Sequence, residues 1–159
     1  MNVKGRTLLA SAALAVALTV SFSAAQAKVR VITLRATDDM KFDITTIKAA
    51  PGEQLQVKVV TVGKIPKFAM AHNFVLLKQG TNAKAFADQA MKADVASSYI
   101  PAALKGQVVA STKLAGPGET VEVTFTAPKV PGKYEFICSF PGHYAAGMKG
   151  VLIVAPKST

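Results

Sequence analysis

From residue 29 onward, several stretches alternate apolar and polar residues with a period of two, the signature of strands with one buried face. Leu55, Val57 and Val59 interleave with Gln56 and Lys58, and Val121, Val123 and Phe125 interleave with Glu122 and Thr124. Tyr134, Phe136 and Cys138 share a face, with Glu135 on the other. Residues 29–37, 42–48, 73–78, 107–114 and 151–154 are further apolar or β-rich runs that predict strands. Turn signals separate them at Pro51-Gly52-Glu53, Gly116-Pro117-Gly118 and Pro131-Gly132. One segment breaks this period. Ala83, Phe86, Ala87, Ala90 and Met91 recur at helical spacing, with Lys84, Asp88 and Lys92 on a more polar face. That predicts one helix packed against a sheet edge or barrel end. Short strands with turns at this spacing predict an all-β fold, a Greek-key sandwich or barrel, with one inserted helix.

The first 27 residues read differently. Lys4 and Arg6 open the chain, an apolar run follows from residue 8 to 20, and Ala25-Gln26-Ala27 is a small-x-small cleavage pattern. These are the three parts of a secretory signal, so cleavage after Ala27 and a mature domain over residues 28–159 are expected, with the periplasm as destination. The apolar run falls short of the about 20 residues that span a bilayer. Lys28, not a cysteine, follows the cleavage point, so neither a membrane nor a lipid anchor is expected. A chain of 159 residues fits one domain. Without Lys4 and Arg6 it carries 17 basic and 9 acidic residues, a net +8. The lysines are scattered, with no basic run or basic helix, so the charge points to steering towards an acidic partner and not to nucleic acid. Nothing calls for an oligomer, and a monomer is expected.

Cysteine usage narrows the chemistry. Cys138 is the sole cysteine, so no internal disulfide can form, and in an oxidising compartment its thiol must be buried or occupied. It ends a predicted strand and opens the segment Cys138-Ser139-Phe140-Pro141-Gly142-His143-Tyr144-Ala145-Ala146-Gly147-Met148. His143 and His72 are the two histidines of the chain. Each of these residues alone is an ordinary core or turn residue. Together, one Cys, two His and a Met form the blue-copper ligand set: a trigonal plane of thiolate and two imidazoles with a long, weak thioether. Zinc is the competing metal, but a thioether serves it poorly, and no carboxylate lies in the ligand loop to act as a base for a hydrolytic site. A copper oxidase or nitrite reductase would need a second copper with further histidines. A copper carrier delivering metal outside the cytoplasm is the alternative to an electron carrier.

The residues resemble the azurins, with the auracyanins close by. The resemblance runs through Asp38-Asp39-Met40-Lys41-Phe42, Ile65-Pro66-Lys67, residues 70–76 around His72, Thr112-Lys113-Leu114, Gly116-Pro117-Gly118-Glu119, the loop from Cys138 to His143, and Met148-Lys149-Gly150. It implies one copper ion with His72, Cys138 and His143 as equatorial ligands and Met148 as the axial one. It implies a weak approach of the Ala71 carbonyl, where azurins carry glycine. It also implies that Asn73 and Ser139 bond across the two ligand loops and hold the geometry. Four residues separate His143 from Met148 where azurins have three, a spacing closer to auracyanin or plastocyanin, and the azurin disulfide is absent. His143 is expected to show one ring edge at the surface, within an apolar patch of Met70, Phe140, Pro141 and Ala145. There a redox partner such as a c-type cytochrome or a copper or haem oxidoreductase would dock.

Overall fold

The computed structural model describes residues 28–156. The expected signal over residues 1–27 lies outside the described residues. Among the described residues, nine strands form two sheets. β1 (Arg30–Thr37), β2 (Lys41–Phe42), β4 (Gln54–Thr61) and β7 (Thr120–Thr126) make the first, in the order β2-β1-β4-β7. β3 (Thr46–Ala49), β5 (Val75–Leu77), β6 (Val108–Ser111), β8 (Gly132–Ile137) and β9 (Lys149–Val154) make the second, in the order β3-β9-β8-β5-β6. The pairs β1–β4 and β3–β9 are parallel and the remaining pairs antiparallel. The result is the expected Greek-key sandwich.

The strict alternation of β4 and β7 sets their register. Leu55 faces Phe125, Val57 faces Val123 and Val59 faces Val121, so one apolar row of each strand turns into the sandwich. Tyr134 and Phe136 from β8, and Cys138 just past it, point into the same core, where Phe136 packs its ring against Phe42 at 5.7 Å and Phe74 at 5.2 Å. The three residues of β5 are all buried and do not alternate, because its outer face is covered as well. The cover is helix α1 (Ala83–Ala90), whose Ala83 and Phe86 pack with Ile100 over Val75, Leu77 and Ile137. Asn82 caps the helix, accepting the Ala85 N–H at 3.0 Å.

Three expectations change. The run 42–48 is not one strand: a bend at Asp43 hands the chain from β2 in one sheet to β3 in the other. The run 107–114 keeps only four residues in β6. Met91 follows the helix and stands 53% exposed, so the apolar stripe ends at Ala90. Two 3₁₀ turns, Val95–Ser97 and Ala102–Gln107, complete the connection from β5 to β6 without any periodic signal.

Phe136 joins both sheets through its ring contacts. Phe136→Ala should therefore cost about 3–5 kcal/mol in stability, read as a lower urea midpoint of the metal-free protein. A loss below about 1 kcal/mol would mean that the core closes without it.

Candidate metal centre

Strand order brings the candidate ligands to one end of the second sheet. β8 and β9 pair with Ile137 opposite Lys149, so Cys138, just past β8, and Met148, just before β9, lie side by side. The Cys138 N–H donates to the Met148 carbonyl at 3.1 Å. β5 pairs with β8 through Val75 and Ile137, which draws His72 to the same end. His72 itself bridges Ala115, exchanging N–H to carbonyl bonds of 2.9 and 2.8 Å. Between Cys138 and Met148 the chain turns tightly, and Met148 N–H donates back to the His143 carbonyl at 2.9 Å.

The side chains of His72, Cys138 and His143 converge, their potential ligand atoms all within 4.8 Å of one another. Cys138 Sγ lies 3.4 Å from His143 Nδ1 and 3.9 Å from the Ala71 carbonyl oxygen. The two imidazoles stand 5.0 Å apart between ring centres. Cys138, Met148 and His72 are fully buried. His143, expected to show a ring edge, is 2% exposed, because Phe140 covers its ring at 4.7 Å and Tyr99 in turn abuts Phe140. Of the expected patch, Met70, Phe140 and Pro141 are half-buried and Ala145 is exposed.

Burial dominates the electrostatics. It pushes the Cys138 thiol up to about 12, partly offset by the N–H groups of Asn73 and Phe140 that face the sulfur. It lowers His72 to about 4 against the opposing pull of the Asp38 carboxylate. His143 also falls to about 4, through burial and then the neighbouring His72. Both ring nitrogens of His72 are buried without a hydrogen-bond partner. Neutral imidazoles and a sulfur, stripped of water and aimed at one point, fit a soft or borderline cation. The donor set of two nitrogens, a thiolate and a thioether suits copper better than zinc.

Asn73 and Ser139 lie one residue beyond His72 and Cys138 and are both buried. Ser139 N–H donates to Asn73 Oδ1 at 2.9 Å, and Asn73 Nδ2 donates to Ser139 Oγ at 2.9 Å. The Ser98 carbonyl accepts from both side chains, at 3.0 and 2.9 Å. Ser98 and Tyr99 adopt left-handed backbone angles to present it. Sequence reasoning missed Ser98, since nothing in its composition marks such a turn. It also missed Thr112, whose Oγ1 accepts the Phe74 N–H at 3.0 Å beside the first ligand loop.

A thiol held near 12 and imidazoles held near 4 fix the proton count of metal uptake. At pH 6–8 the thiol carries its proton and the rings carry none beyond neutrality. Cu(II) binding to the metal-free protein should therefore release about one proton throughout that range, measured by calorimetry in buffers of different ionisation enthalpy. Release that climbs towards two or three as pH falls through 6.5 would show that the rings are protonated in the metal-free state.

Comparisons with known proteins agree with this donor set. The family model for copper binding proteins of the plastocyanin/azurin family matches residues 29–155. An azurin of Achromobacter denitrificans is 36% identical over 148 residues, covering 91% of this chain and 97% of its own. Auracyanin-A of Chloroflexus aurantiacus is 36% identical over 118 residues, covering 74% and 68%. Among solved structures, the reduced auracyanin of Roseiflexus castenholzii superposes with a TM-score of 0.70 at 33% identity, over 79% of this chain and 97% of that one. With the match spanning nearly all described residues, the chain belongs to the plastocyanin/azurin family of blue copper proteins.

Proposed function

We propose that this protein is an exported carrier of single electrons in which His72, Cys138 and His143 hold one copper ion, with Met148 as a weak axial ligand. The observation that supports this most directly is the convergence of a buried thiol and two neutral imidazoles, one of them without any hydrogen bond, on a common point. Copper, when bound, supplies a one-electron couple whose two states tolerate the same ligands. The protein's part is to keep those ligands still. The Asn73–Ser139 bonds fix the spacing of the two ligand loops before metal arrives, and the N–H groups facing Cys138 favour its thiolate. The Ala71 carbonyl, 3.9 Å from Cys138 Sγ, would make a weak contact from the first loop.

Electrons would enter and leave at the ligand-loop end, where Phe140 lies against the His143 ring and Met70, Pro141 and Ala145 would extend an apolar surface. Such a patch suits brief docking of a redox protein, a c-type cytochrome or a copper or haem oxidoreductase. Lys149, over the Tyr144 ring at 4.6 Å, and Lys41, bonded to Ala146, set cations beside that loop and favour a partner with an acidic rim. A stand-alone copper enzyme would need further imidazoles, and the chain has two in all. Export to the periplasm rests on the secretory pattern of residues 1–27.

The protein reconstituted with Cu(II) should show an intense thiolate-to-copper band and a narrow copper hyperfine splitting, both lost in Cys138→Ala. A pale solution with ordinary tetragonal copper resonance would overturn the reading. Loss of metal during repeated oxidation and reduction would favour copper delivery instead. Met70→Lys should slow electron exchange with a protein partner and leave the visible spectrum intact; unchanged kinetics would remove the docking patch.

A further inference from the structure

Asp38, in the turn that joins β1 to β2, and Lys41, at the start of β2, reach out from the first sheet with opposite charges. Asp38 Oδ2 accepts the N–H groups of Lys64 at 2.7 Å and Ile65 at 3.3 Å, gripping the segment that runs into Ala71 and His72. Three residues on, the Lys41 ammonium donates to the Ala146 carbonyl, in the last turn before Met148. The two loops are tied to each other through Asn73 and Ser139. At the thioether end the Met148 backbone is held by the Cys138 N–H at 3.1 Å, and Lys41 adds a side-chain anchor two residues earlier, at Ala146.

The setting of Lys41 is specific. Its backbone pairs with Thr37, and the next residue, Phe42, is buried against Phe136, so the base of the side chain is fixed to the first sheet. Gly147 is left-handed at φ 93°, and a Cβ there would lie 2.9 Å from Lys41 Nζ. The loop thus presents a bare backbone where the ammonium sits. The bonded carbonyl is followed by Gly147 and Met148, whose N–H groups close the turn onto Tyr144 and His143 at 2.9 Å each.

We infer that Lys41 is a positioning residue for Met148: its ammonium anchors the Ala146 carbonyl and so fixes the loop end that presents the thioether to the metal site. A fixed cation there also opposes the more positive state of a bound metal, raising the reduction potential. The inference rests on the copper reading for its redox consequence and on the chain alone for its structural one.

In the metal-free protein, hydrogen exchange at the Gly147 and Met148 amides should be about fivefold faster in Lys41→Met, the factor one typical hydrogen bond supplies. Exchange at Phe136 and Leu152 should be unchanged, which shows that the sandwich is intact. Lys41→Arg should restore both loop amides. In the copper-loaded protein the reduction potential should fall in Lys41→Met and return in Lys41→Arg. Equal exchange in the wild type and Lys41→Met overturns the anchoring. Faster exchange with an unchanged potential overturns the link from loop to metal. A wild-type protein lacking the blue spectrum counts against the copper reading alone, since the exchange measurement uses no metal.

Discussion

Everything at the ligand end of this sandwich answers to one constraint: a thiol and two imidazoles have been taken out of water and given almost nothing in return. Burying such groups without partners costs free energy, and the ring of His72 bears that cost on both nitrogens. The protein meets it with backbone N–H groups at the sulfur and with a rigid surround, and leaves the balance to a cation. The shifts of all three groups express the same fact, since each is pushed towards its neutral form.

Rigidity comes from different directions for different ligands. His72 is fixed by its exchange with Ala115, and Cys138 and Met148 by their places at the ends of paired strands. The amide of Asn73 and the hydroxyl of Ser139 then lock the two segments together across 66 positions of sequence. Because Ser98 accepts from both, the cover formed by α1 and the following 3₁₀ turn also becomes part of the site. A helix that reads as a mere insertion thereby carries the strap on which the joint closes.

Much of this was legible in the residues. The alternation in β4 and β7 and the shared face of Tyr134, Phe136 and Cys138 are direct statements of which side chains enter the core. The donor set was legible because it is scarce: one thiol and two imidazoles leave few assignments. The losses have physical causes. Local pattern records burial but not which sheet buries a residue, so the break at Asp43 that divides β2 from β3 was invisible. Met91 continues a helical stripe that the helix itself does not continue. The Ser98 carbonyl is a backbone atom aimed by an unusual turn, and any residue type would offer it. Lys41 meets Ala146 across 105 positions, a distance no local pattern spans.

The compactness of the second ligand loop has a thermodynamic corollary. A thiol, an imidazole and a thioether lie within residues 138–148, so a chain with no sandwich at all still carries three donors within reach of one ion. A ligand stabilises a fold only by the excess of its affinity for the folded over the unfolded chain. Metal held by that local segment contributes nothing to the excess. What it gives to the fold is confined to the share that requires His72 and the enforced arrangement around it. The histidine farthest away in sequence is therefore the one through which metal occupancy and folding are coupled.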